Sequence, residues 1–151
     1  MGLLMAASKT VAEVRQYVAA AIATGMATDG WQESTIPYDL FLSGEADNLS
    51  HKAYAVGVPA TDPYELDRQH PKMPVMTVVG IKWSYNLAAN DQVSSYDDAL
   101  NKERQILQAL SVARRSEIML AFSSVTRIVT DETWMLGEIT LRAHHLLDIS
   151  P

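Results

Sequence analysis

Apolar positions along the chain recur with two different periods, and the switches between them mark out the elements. Near the start, Val11, Val14, Val18, Ala21 and Ile22 repeat at three- and four-residue intervals, which predicts an amphipathic helix. Thr10 and Glu13 form a T-x-x-E capping box ahead of it, and Gly25 is the expected stop. From Ala27 to Ser50 the periodicity fades. One apolar piece there, Ile36 to Leu42, contains Pro37 and reads as an edge strand or a covering segment. In "HKAYAVGVP" the period becomes two, with Tyr54, Val56 and Val58 on one face and Ala53, Ala55 and Gly57 on the other. A long connection over 59–74 follows, with prolines at 59, 63, 71 and 74.

The run "VMTVVGIKWSYNLA" then alternates throughout. Val75, Thr77, Val79, Ile81, Trp83, Tyr85 and Leu87 share one face. A second helical period carries Leu100, Ile106, Leu107, Leu110 and Ala113, with Ser95 and Asp98 as its opening signal and Arg114 and Arg115 at its end, suited to the helix dipole. Two β-like runs complete the chain: "EIMLAFSSVTRIVT", with a bulge expected near Ser123–Ser124, and 135–149. The pattern predicts a single α+β domain over 1–151. It has an antiparallel or mixed β-sheet with two helices packed on it, long loops, and the order α-β-β-β-α-β-β.

This reading separates the most conspicuous candidate site, His144 and His145. Adjacent strand residues point to opposite faces, so the two rings diverge and cannot share a ligand. His145 falls on the apolar face and reads as a core or subunit-interface histidine. The remaining histidines, His51 and His70, complete no metal-ligand spacing, and Asp67 with His70 would supply only two ligands. Asp97 and Asp98 are expected to serve the helix start rather than acid–base chemistry. No glycine-rich phosphate loop and no nucleophile motif is present. The residues therefore suggest no enzyme, no cofactor and no metal.

Composition narrows the partners. There is no cysteine, so disulfides and thiolate metal sites are excluded. No apolar run is long enough for a membrane helix, and "MGLLMAAS" lacks the basic region of a secretory signal. The net charge is −6, and residues 27–74 account for most of it with eight acids against three bases. An acidic chain without a basic stripe is a poor ligand for nucleic acid. Trp31, Trp83 and Trp134 have no interleaved basic residues, so they read as core or interface anchors rather than as a base-stacking platform.

Taken in order, the N-terminal helix, "SHKAYAVGVPATD", "DRQHPKMPVMTVVGIKWSYNLAANDQ" leading into "SSYDDALNKERQIL", and the closing "RIVTDETWMLGEITLRAHHLLDI" resemble the tail terminator (tail completion) proteins of long-tailed bacteriophages. The resemblance spans most of the chain and rests on order and pattern rather than on invariant motifs. It implies a homo-oligomeric, hexameric ring that caps the tail tube, ends its polymerisation and joins the tail to the head connector. It also implies a virion location, assembly in the host bacterial cytoplasm, and DNA that passes through without specific binding. The family has no catalytic residues to carry over. Candidate interface residues are Trp31, Tyr64, Leu66, Arg68, Trp134 and His145. A head-completion or stopper protein at the portal remains the alternative within virion assembly, and a small ligand-binding α+β domain the alternative outside it.

Overall fold

In a computed structural model, the structure describes residues 7–41, 49–63, 72–87, 91–113, 117–130 and 133–150. Two helices, α1 (Val11–Gly25) and α2 (Gln92–Val112), lie on one face of a five-stranded mixed sheet. The strands are β1 (Gln32–Glu33), β2 (Ala53–Pro63), β3 (Lys72–Asn86), β4 (Met119–Thr130) and β5 (Trp134–Asp148). Their spatial order is β1-β2-β3-β5-β4, with β1 parallel to β2 and the other pairs antiparallel. The chain is α+β, in the element order expected.

Period-two alternation decides the sheet's two faces. Tyr54 pairs with Trp83, Ile81 with Ile139 and Val79 with Leu141, so the large apolar side chains of three strands point together. Val14, Val18 and Ile22 of α1 and Ala99, Ile106 and Leu110 of α2 close over them as the main core. The Thr10 capping box forms as read, with Glu13 N donating to Thr10 Oγ1 at 3.1 Å and Thr10 N donating to Glu13 Oε1 at 3.0 Å.

Several local expectations need correction. α2 opens at Gln92, with Asp91 as its N-cap accepting from Val93 N and Ser94 N, rather than at Ser95. The whole helix is therefore longer, and Asp97 and Asp98 sit past its first turn. Asp98 instead accepts a 2.5 Å hydrogen bond from the Tyr85 hydroxyl, with burial and this carboxylate together pushing that phenol up to about 12. Gly25 has no left-handed backbone. It is needed because a Cβ there would stand 2.3 Å from Cβ of Ala109, so its absence lets the two helices approach. The short strand is Gln32–Glu33, and the 36–41 piece is a covering segment with a 3₁₀ turn at Tyr38–Leu40.

That segment covers the other face of the sheet. Gly57 and Gly80 are paired neighbours on β2 and β3, and the Tyr38 ring lies over both. Lys82 Nζ stands 4.1 Å from the ring centroid and donates to Tyr38 O, while the phenol donates to Glu138 Oε2 at 3.0 Å. Burial and the Glu138 carboxylate both hold the Tyr38 hydroxyl protonated, well above the usual phenol range. Phe41 packs beside it on Ala53 and Ala55.

Strands β2 and β3 also run into the proline-rich connection. Pro59, Pro63 and Pro74 are strand residues, so the region between ordered strands is shorter than 59–74. Tyr64, Leu66, Arg68 and His70 lie outside the described residues, as do Arg114 and Arg115.

Candidate interaction surface

The two edges of the sheet are unlike. On one side β1 covers only the start of β2, and β2 carries Pro59 at its bulge and Pro63 at its end, two residues with no amide hydrogen to offer a foreign strand. On the other side β4 offers twelve residues with no proline, no lysine and no acid. Its only charge is Arg127.

β4 also carries exposed apolar side chains on both of its faces. Met119 and Ile128 are about half exposed on one face, and Phe122 and Val129 on the other. Val93 and Tyr96 of α2 extend the second set. These are six of the eight most exposed large apolar side chains among the described residues, the others being Val112 and Ile149. A monomer rarely leaves such a contiguous belt open.

A groove between α2 and β4 runs along this belt. At one end an apolar hollow of about 370 Å³ is lined by Leu87, Gln92, Val93, Tyr96 and Val129. At the other end a hollow of about 260 Å³ is lined by Leu107, Leu110, Ser111, Leu120, Phe122 and Leu141. Between them the Arg127 guanidinium grips the Glu103 carboxylate, with Nε within 3.1 Å of both oxygens and Nη2 at 2.6 Å from Oε1. Glu103 is almost wholly buried, with its side chain 5% exposed against 40% for Arg127. The hydrogen-bonded carboxylate raises the pKa of Arg127, which stays charged. The pair ties α2 to the free edge strand and leaves the Arg127 side chain partly exposed. A second, larger groove of about 620 Å³ lies between α1 and α2, lined largely by small residues such as Ala20, Gly25 and Ala109.

The residues singled out from the sequence scatter. Trp31 is buried in the core and meets Trp83 edge to face, with ring centroids 6.5 Å apart. Trp134 is half-buried at the start of β5, opposite Thr130. His144 and His145 do point to opposite faces, and His145 is fully buried. Its Nδ1 can only donate to the Lys9 carbonyl at 3.1 Å, so Nε2 accepts from Thr77 Oγ1 at 2.7 Å. Thr61 Oγ1 completes this chain at 2.9 Å from Thr77 Oγ1. Lys9 N donates to Leu146 O, so the chain fastens the lead into α1 onto the end of β5.

Sequence reasoning passed over Phe122, Ile128, Val129, Tyr96 and the Arg127–Glu103 pair. The available signal was a strand apolar at odd and even positions alike, and nothing local says that no sixth strand covers it. Among the described residues no group of three or more histidines and carboxylates could hold a metal. None of their helices is long and apolar enough to cross a membrane. No protein-family model and no curated protein matches the chain.

Burial lowers the pKa of His145, against hydrogen bonds to the backbone that act the other way. With the folded value below the unfolded 6.5, the neutral ring favours the fold above pH 6.5, and that share is lost as pH falls below it. His51 shifts in the same direction, mainly by burial. We expect stability to fall between pH 7 and 5. The slope should flatten in His145→Gln and persist in His51→Gln, read by urea denaturation at each pH. Equal slopes in the wild type and His145→Gln would remove the histidine from the account. His144→Ala, at a half-buried position on the opposite face, should cost less stability than His145→Ala in the same measurement.

Proposed function

We propose that this chain is a ring-forming structural protein of a bacteriophage neck, a tail terminator. Copies of it, six in the ring, cap the end of the tail tube, stop its growth and present the joining surface to the head connector. DNA passes through the ring without specific binding. The protein acts within the virion and assembles in the host bacterial cytoplasm.

The observation that carries this reading is the apolar belt along β4 and α2. Such a belt is stable only when covered, and repeated association of copies covers it. The α+β order and the resemblance of the successive segments support the same conclusion. The acidic middle of the chain also fits a channel protein, because negative charge repels phosphates and leaves a conduit slippery.

The test is electron microscopy of purified tail tubes mixed with the protein. Rings with a central hole should sit at the tube ends, and tubes so treated should stop elongating. Tubes that keep growing, with bare ends, would sink the proposal. Association with portal rings instead would reassign the chain to the stopper position.

A further inference from the structure

The free edge of β4 raises a narrower question: what covers it before any tube end is present. We propose that it is covered by a second copy of this chain, the two β4 strands pairing antiparallel about a twofold axis into one continuous ten-stranded sheet. This inference uses β4 and α2 alone and does not rest on the ring.

Main-chain chemistry names the class of occupant. An open edge strand presents a row of unpaired amide and carbonyl groups, which only another extended strand satisfies along its length. The opposite edge of the sheet cannot supply that strand, because Pro59 and Pro63 interrupt its donors. β4 itself can. It has no acidic residue, so two copies of a chain at −6 meet there without repulsion between carboxylates on the strands.

Side-chain order supports one register. With Met119 opposite Thr130 of the second copy, the arms 119–122 and 127–130 pair with side chains on matching faces, and the two bulges near Ser123 lie symmetrically between them. On the helix side, Leu120 then faces Val129 of the second copy, and Phe122 faces Arg127 of the second copy. Arg127 is already held by Glu103 with its side chain partly exposed, and an aromatic ring is a favoured neighbour for a guanidinium. On the other side, Ala121 faces Ile128 of the second copy. Met119 meets Thr130, and the other apolar positions of the two arms meet an apolar or planar side chain.

The helices obey the same twofold. α2 runs antiparallel to β4, with Val93 and Tyr96 near Val129 and with Leu107 and Ser111 near Leu120. The operation that pairs the strands brings the Tyr96 end of one α2 over the Leu107 end of the other. The hollow of about 260 Å³ at Leu107, Leu110, Leu120 and Phe122 then receives a ring from the opposite copy. One symmetry operation thus covers six of the eight exposed large apolar side chains. A twofold contact closes on itself. It leaves no free copy of the edge and does not grow, so the pair is a resting form that keeps the belt out of water.

The chain's lack of cysteine makes the test direct. The full-length protein is examined by sedimentation and light scattering, without tail tubes, as wild type, Ile128→Asp, Ser124→Cys and Thr35→Cys. Wild type should have twice the 16.6 kDa mass of one chain. Ile128→Asp, altering an exposed side chain, should keep its circular dichroism and be monomeric. Ser124→Cys, next to the twofold, should oxidise to a covalent dimer at least tenfold faster than Thr35→Cys on the opposite edge. A monomeric wild type, a larger head-to-tail oligomer, or equal cross-linking at both positions would each overturn the proposal. A protein that caps tubes yet shows no Ser124 cross-link would leave the ring reading standing while removing the pair.

Discussion

Trp83→Ala is expected to cost about 4 kcal/mol of folding stability, in the range found when a large buried aromatic is truncated. Trp83 is fully buried at the centre of the sheet's inner face, pairs with Gly137 on β5 and Tyr54 on β2, and touches Trp31 edge to face. Its indole lies directly on Gly137, where an added Cβ would come within 2.2 Å of the ring. Its paired neighbours on β2 and β5 are fixed in the ladder, so the space collapses little after truncation. Trp83→Phe should cost much less, because it keeps most of the area and removes an indole N–H that has no hydrogen-bond partner. Urea denaturation followed by circular dichroism checks both. A loss below about 1.5 kcal/mol for the alanine variant, typical of a shape-tolerant site, would contradict the packing described.

Breaking the Arg127–Glu103 pair gives the second large effect. Arg127→Ala leaves an almost buried carboxylate without its partner, and the expected loss is about 2 kcal/mol, reduced from the 3–5 of fully buried pairs because the arginine is partly solvated. Glu103→Leu combined with Arg127→Met should recover most of it, since apolar residues of similar volume carry no uncompensated charge. Both are measured in dilute solution, where strand pairing between copies does not contribute. If the double variant is as unstable as Arg127→Ala, the loss comes from packing at β4 and not from the stranded carboxylate.

Much of the fold was legible in the chain because its strands alternate cleanly. The opposed faces of 53–58, 75–87 and 137–145 follow from a period of two and needed no tertiary information. The Thr10 capping box and the bulge beside Ser123 are equally local. The start of α2 was misread because Asp91 and Ser95 both suit an N-cap, and only the bonds from Val93 and Ser94 to Asp91 distinguish them. Ile36 to Phe41 has apolar side chains suited to a strand. It became a cover because Gly57 and Gly80, distant in sequence, leave a slot for the Tyr38 ring.

The candidate surface was the least legible part. Phe122 and Ile128 look from the sequence like ordinary strand residues, buried on one side or the other. Their exposure follows from strand order: β5, last in the chain, inserts beside β3 and leaves β4 at the rim. By itself, the sequence determined which side chains share a face, where α1 begins, and that His144 and His145 diverge, since each depends on spacing along one element. Which strand became an edge, which glycines stand under an aromatic ring, and which apolar residues stay uncovered were decided only by tertiary structure. The physical reason is that exposure belongs to neighbours brought together across the fold, and no local period records them.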